Sequence, residues 1–135
     1  MPEKGLKTMI VDDDHMFIFI AKKMLESAEF VKDPLTYANG KTALEYLEQN
    51  PDDAEHFVIF LDINMPVFSG WDFLDRVCEM PLKDRISVFM VTSSVNVSDK
   101  RRAATYPVMK AFLEKPVGKE KYASLKEMEE LRRFF

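Results

Sequence analysis

The chain has 135 residues, 47% apolar and 31% charged, and 19 Lys+Arg against 23 Asp+Glu give a formal net charge of −4. That is an ordinary globular balance with room for one cored domain but not two, and its acidic excess argues against non-specific capture by nucleic acid or an anionic membrane. A single cysteine, Cys78, excludes an internal disulfide framework and a thiolate metal cluster. The opening MPEKGLK has no long apolar core and no small-residue cleavage signature. No run reaches the roughly 18 apolar residues of a membrane helix. The expectation is a soluble, cytoplasmic protein with one domain over residues 1–135 and a folded core over about 5–131.

Period changes divide the chain. Leu6 to Val11 (LKTMIV) is a short, largely apolar strand that stops at Asp12, Asp13 and Asp14. From His15 to Glu29 the apolar residues Phe17, Ala21, Met24, Leu25 and Ala28 recur every three or four positions, which predicts a helix. Val31 to Ala38 reads as a second, weaker strand, and Asn39-Gly40 as a turn. Helical spacing resumes at Ala43, Leu44 and Leu47 and ends before Asn50-Pro51. Phe57 to Leu61 (FVIFL) has five consecutive apolar residues, as a strand covered on both faces requires.

The second half repeats the rhythm. Met65-Pro66 to Gly70 is a loop, and Trp71 to Met80 is a helix with Phe73, Leu74, Val77 and Cys78 on one side. Ile86 to Val91 is a fourth strand, ended by Thr92, Ser93 and Ser94. A short helix spans Ser98 to Ala104, with Asp99 in the first turn, where the helix dipole favours an acid. Met109 to Leu113 is a fifth strand, followed by Glu114, Lys115 and Pro116. The last helix is expected from Lys119 to the end, with Tyr122, Leu125, Met128 and Leu131 as its apolar stripe.

Five strands alternating with five helices predict an α/β, doubly wound parallel sheet with helices on both faces and right-handed crossovers. Such a sheet binds ligands beyond the carboxyl ends of its strands, near the point where strand order reverses. The most polar residues sit at those ends: Asp12 to Asp14, Asp62, Thr92 and Ser93, and Lys115. Acids crowded at one sheet edge repel one another and resist burial without a counter-charge. Mg²⁺ resolves this, because it takes oxygen ligands and keeps several waters. Asp12, Asp13 and Asp62 could supply those ligands if strands one and three are neighbours, with Lys115 as a second positive centre. Carboxylates, metal, hydroxyl and ammonium together suit a phosphoryl group held between cations. No GxxxxGK[ST] phosphate loop is present, so nucleotide hydrolysis by that route has no support.

The stretches IVDDD at 10–14, FLDINMP at 60–66, Gly70, VTSS at 91–94 and FLEKP at 112–116 stand in one order over nearly the whole chain. In that combination the sequence resembles a response-regulator receiver domain of the CheY-like, stand-alone kind. The resemblance implies the flavodoxin-like strand order 2-1-3-4-5. It implies that Asp62 accepts a phosphoryl group from a phosphohistidine on a histidine kinase or histidine phosphotransfer protein. A carboxylate can serve as such a nucleophile when metal and in-line geometry assist it. It implies a Mg²⁺ (or Mn²⁺) ion held directly by Asp13, by Asp62 and by the backbone carbonyl of Asn64, with Asp12 acting through a metal-bound water or a hydrogen bond. Thr92 matches the switch hydroxyl and Lys115 the lysine that pairs with the phosphoryl group. Phe112 matches the aromatic switch position, without the hydroxyl of a tyrosine. The Lys115-Pro116 bond is expected cis on the same ground. Ala111 stands where many relatives have Gly, and Pro107 stiffens the loop before strand five.

Other residues read more plainly. Asp14 is a helix cap. His15 and His56 are expected partly exposed at the starts of their elements, and they do not form a metal pair by spacing. Cys78 is expected in the core, and Trp71 in packing. The run MFIFI, with Met16 and Phe19, is more apolar than the core face needs, so part of it is expected exposed as a docking patch.

The reading is a phosphorelay switch rather than a metabolic enzyme. No output domain fits within this length, so its effect passes to an unidentified downstream protein or onward to a histidine phosphotransfer partner. It is expected monomeric, with room for an activation-linked dimer through the helix-four to helix-five face. A small Mg²⁺-dependent phosphatase or phosphotransferase with an aspartyl nucleophile is the alternative, but it needs a substrate-covering cap longer than these loops. A flavodoxin-like cofactor binder is opposed by three acids where an FMN phosphate would sit. A receiver that no longer takes phosphate is opposed by the complete acid, hydroxyl and lysine set.

Overall fold

The computed structural model describes residues 5–93 and 96–135; Ser94, the last of the polar run after strand four, lies outside them. The strands are β1 (Leu6–Val11), β2 (Leu35–Tyr37), β3 (His56–Leu61), β4 (Ile86–Thr92) and β5 (Met109–Glu114). The helices are α1 (His15–Ser27), α2 (Gly40–Gln49), α3 (Gly70–Val77), α4 (Val97–Ala103) and α5 (Lys119–Leu125), with 3-10 turns at Pro81–Arg85 and Arg132–Phe134. The strands form one parallel sheet in the order β2-β1-β3-β4-β5. This is the expected doubly wound fold.

Side chains on a strand alternate faces, so one sheet makes two cores. Met9, Val11, Ile59, Leu61, Val88 and Met90 pack against Leu44, Leu47, Phe73 and Val77 of α2 and α3. Ile10, Val58, Phe60, Phe89, Val91 and Leu113 pack against Ile18, Ala21 and Leu25 of α1 and Tyr122 and Leu125 of α5. Every residue of β3 and β4 is buried, which is why those runs are almost uninterruptedly apolar.

Several boundaries differ from the sequence expectation. The second strand shrinks to three residues, because Pro34 has no N–H to give a ladder and the segment is a sheet edge. The first helix stops at Ser27 rather than Glu29. Glu29 takes φ 57°, and its N–H and that of Phe30 donate to the carbonyls of Glu26 and Leu25. That is a Schellman close with Glu where Gly is usual, sealed by the buried Phe30 ring. Lys126 Nζ also donates to the carbonyl of Ala28, at 2.8 Å.

The helix after Gly70 ends at Val77 rather than Met80, its last turn tightened by bonds from Glu79 and Met80 to Arg76 and Val77. The final helix does not run to the end. After Leu125 the hydrogen bonds contract to three-residue spacing, and the chain turns back. The turn lays Phe135 on Phe30 (centroids 5.1 Å apart) and Phe134 on His56 (6.1 Å). A straight helix would have carried both rings into water.

His56 is not a surface residue. It opens β3, is buried, and shares a 2.7 Å hydrogen bond with Ser87 of β4 through Nε2. Burial first, then the charges of Arg133, Lys110 and Arg85, pull its pKa down to about 4, so the ring is neutral at neutral pH. Cys78 is half-buried at the end of α3 rather than in the core. Trp71 packs on Tyr106, as expected.

The left-handed Glu29 yields a test. Glu29→Gly relieves a side chain from a conformation that disfavours it. It should stabilise the protein by about 0.5–1 kcal/mol in urea unfolding, net of the entropy glycine adds to the unfolded chain.

Candidate phosphoacceptor and metal site

Parallel register gathers the polar strand ends. Val11 pairs with Leu61, and Leu61 with Met90, so the residues that follow them emerge side by side. The ladder continues one bond past the strands. Asp12 N–H donates to Tyr37 O, Asp62 N–H to Val11 O, and Lys115 N–H to Thr92 O, at 2.9–3.0 Å. Residues as far apart in the chain as Asp12 and Lys115 thereby share one edge.

Asp12 is 1% exposed and Asp62 is 7% exposed, while Asp13 faces solvent. One carboxylate oxygen from each lies within 4.8 Å of the others. Lys115 Nζ is 2.8 Å from Asp12 Oδ2 and 3.9 Å from Asp62 Oδ2. The Asp12 contact is a charge contact, and Oδ2 accepts no well-directed hydrogen bond. Asp12 Oδ1 accepts from Asp14 N–H at 2.9 Å, and Asp62 Oδ1 from Asn64 N–H at 3.3 Å. Asp14 in turn caps α1, accepting from the N–H groups of Met16 and Phe17.

The charges do not balance. Among the described residues three carboxylates face one ammonium, an excess of two negative charges when all three are ionised. Burial raises the Asp62 pKa, and Asp12 and more weakly Asp13 raise it further; Lys115 and the Asn64 N–H act against them. A hard divalent cation fits this donor set: carboxylate oxygens, an open exposed side at Asp13, and surplus negative charge. Asn64 is exposed at the lip of the pocket, in the loop that follows Asp62.

Gly70 holds that loop. A Cβ there would stand 2.6 Å from the carbonyl oxygen of Asp62 and 2.8 Å from Ile63 Cα, and its N–H donates to Ile63 O. Ser69 caps α3 in a reciprocal box with Asp72. Val67, in the same loop, takes φ 68° and is fully exposed. Thr92 is buried at the end of β4, opposite Glu114 of β5. Phe112 is half-buried, opposite Met90, on the sheet face that carries α2 and α3. The Lys115-Pro116 bond is cis.

Two residues escaped the sequence reading. Phe17 lies over Lys115, with Nζ 4.3 Å from the ring centroid. Tyr122, expected only as part of an apolar stripe, is buried edge-on to Phe60, and burial together with the Asp12 charge raises its phenol pKa. Only the spacing of Phe17 from the acids could have hinted at the first. Met16 and Phe19, at 67% and 57% exposed, leave an apolar patch on α1, as expected from its composition.

Comparison with known proteins agrees with this geometry. The response regulator receiver domain model matches residues 8–125, and the chain belongs to that family. Hybrid signal transduction histidine kinase L of Dictyostelium discoideum is 31% identical over 131 residues, which cover 94% of this chain and 7% of that protein. The heme response regulator HssR of Staphylococcus haemolyticus is 31% identical over 73% of this chain and 40% of its own length. The chain thus spans well under two thirds of these relatives. The structure of a response regulator receiver protein from Dyadobacter fermentans superposes with a TM-score of 0.81 at 26% identity, over 97% of this chain and 98% of that one. A two-component response regulator from Cytophaga hutchinsonii gives 0.80 at 23% identity over 90% and 94%, a likeness of fold. The acidic cluster beside Lys115 is a phosphoacceptor site of the kind typical of receiver domains in phosphorelays, and its three carboxylates are compatible with a divalent metal ion. No helix among the described residues is long and apolar enough to cross a membrane.

The raised Asp62 pKa has a defined sign in stability. A carboxyl held above its free value of 3.8 destabilises the fold when ionised. The penalty is absent below the free value, grows as pH rises through both values, and is complete above the folded one. Asp62→Asn should therefore raise Tm in EDTA at pH 7, and the gain should vanish as pH falls below about 3.8. The titration of His56 is common to both proteins and cancels in the difference.

Proposed function

We propose that this chain accepts a phosphoryl group on Asp62 from a phosphohistidine of a histidine kinase or histidine phosphotransfer protein. The observation that carries the reading is the convergence of three carboxylates within 4.8 Å beside the ammonium of Lys115. An Asp62 carboxylate oxygen attacks phosphorus in line. The N–P bond breaks, its electron pair leaves with the imidazole, solvent supplies that nitrogen's proton, and an acyl phosphate remains. Asp13, Asp62 and the carbonyl of Asn64 would hold Mg²⁺ (or Mn²⁺), with Asp12 acting through water. The ion supplies positive charge to the oxygens of the transferring group.

The protein's own groups do the rest. Lys115 pairs with a phosphoryl oxygen as a compact charge on a flexible stem. The Thr92 hydroxyl donates to another. The added charge biases a population between two packings, in which Thr92 moves toward the phosphoryl group and Phe112 turns into the space it leaves. The surface of α4, β5 and α5 changes with it and is read by a downstream protein, or dimerises. Met16, Phe19 and Ile20 are exposed on α1, the helix that begins just after the acids, and suit the approach of the phosphodonor protein.

Incubation with acetyl phosphate and Mg²⁺, followed by intact mass, tests the reading. Wild type should gain one phosphoryl group, and Asp62→Ala none. EDTA or Asp13→Ala should slow the gain by about 10²-fold or more. Steady release of phosphate from small phosphomonoesters, with no covalent gain, would contradict it.

A further inference from the structure

We infer that Phe17 is a positioning residue for Lys115, holding its ammonium at the pocket through the face of the ring. The inference rests on the phosphoacceptor reading of Asp62. An ammonium has three N–H donors and no acceptor. The Lys115 ammonium lies among three groups: Asp12 Oδ2 at 2.8 Å and Asp62 Oδ2 at 3.9 Å, both charge contacts, and the Phe17 ring centroid at 4.3 Å. The two carboxylates lie at the strand ends and the ring on α1, so the charge is held between the sheet edge and the helix. A cation over an aromatic face is attracted by the ring quadrupole, and more strongly where water is kept away. The Lys115 side chain is only 16% exposed, and Phe17 is half-buried against the α1 and α5 core.

The ring is itself fixed. Its backbone N–H donates to Asp14 Oδ1 in the α1 cap, and Asp14 N–H donates to Asp12 Oδ1. One short loop therefore sets both the carboxylate and the ring that meet Lys115. When a phosphoryl group forms on Asp62, the ammonium must shift from Asp12 toward it. A neutral π-face can stay beside the ammonium through that shift, and it adds no fixed negative charge to compete with the phosphoryl oxygens. A flexible lysine stem with no such face would hydrate and lose its aim.

The test uses the full chain, acetyl phosphate and saturating Mg²⁺, with the phosphorylation rate read by intact mass. Phe17→Leu keeps the apolar cover and removes the face. It should slow phosphorylation by about three- to thirtyfold, the range of a partly desolvated cation–π contact. Phe17→Trp should restore the rate. In a Lys115→Met background, Phe17→Leu should change nothing further. An equal rate for Phe17→Leu and wild type, an equal slowing for Phe17→Trp and Phe17→Leu, or an undiminished slowing without Lys115 would each overturn the inference. If wild type itself takes no phosphoryl group, the Asp62 reading fails, and the contact is judged by Tm. Non-additive losses for Phe17→Leu and Lys115→Met would support it, and additive ones would overturn it.

Discussion

Surplus negative charge held at one edge of a parallel sheet is the constraint on which the rest of this molecule depends. Pairing β1 with both β2 and β3 leaves Asp12 and Asp62 side by side at the strand ends, already largely removed from water. Neither can move away, because each backbone N–H is tied into the ladder. One ammonium cannot neutralise three carboxylates. The pocket therefore attracts a cation, and the same attraction prepares it for a phosphoryl group, whose oxygens require positive charge on more than one side. Lys115 links these two states: it partners Asp12 now, and it is within a short movement of anything built on Asp62.

The two faces of the sheet carry different parts of the device. On one, Tyr122 packs edge-on against Phe60 within the field of the Asp12 charge, and α1 brings its cap and the Phe17 ring to Lys115. On the other lie Phe112, the Gly70 contact with Asp62, and the joint between α3 and α4. That joint is specific: Arg102 lies over Trp71, Trp71 stacks on Tyr106, and the Tyr106 hydroxyl donates to Asp75. Any displacement of α4 works against these contacts. The far edge of the sheet is tied separately. There His56 bonds Ser87, Arg85 donates to the carbonyls of Pro51 and Ala54, and Phe134 lies close to Gly5.

Much of this was legible in the sequence because parallel strands are near-continuous apolar runs and the acids interrupt them sharply. The bounds of every strand but the second to within a residue, the meeting of Asp12, Asp13, Asp62 and Lys115 at one sheet edge, and the cap at Asp14 follow from that, with the strand order that the resemblance implies. What was not legible depended on tertiary contact. Glu29 gives no signal of a left-handed close, because that conformation is fixed by the burial of Phe30. The end of α5 has good helical spacing, but Phe134 and Phe135 bury more surface by folding back than by continuing. His56 reads as polar at a strand start, and only the register with β4 shows the serine that satisfies it. Phe17 looks like one more apolar residue of α1 until β5 delivers Lys115 onto its face.

Thermal unfolding across a Mg²⁺ titration tests the central claim of uncompensated charge most directly. A site that binds the ion in the folded state alone stabilises the fold by about 2.7 kcal/mol at a hundred times Kd. The account predicts a Tm that climbs with Mg²⁺ in wild type and is flat in an Asp13→Asn, Asp62→Asn double variant, with CaCl₂ or NaCl at matched ionic strength giving a smaller rise. A wild-type Tm indifferent to Mg²⁺, or an equal climb in the double variant, would contradict it.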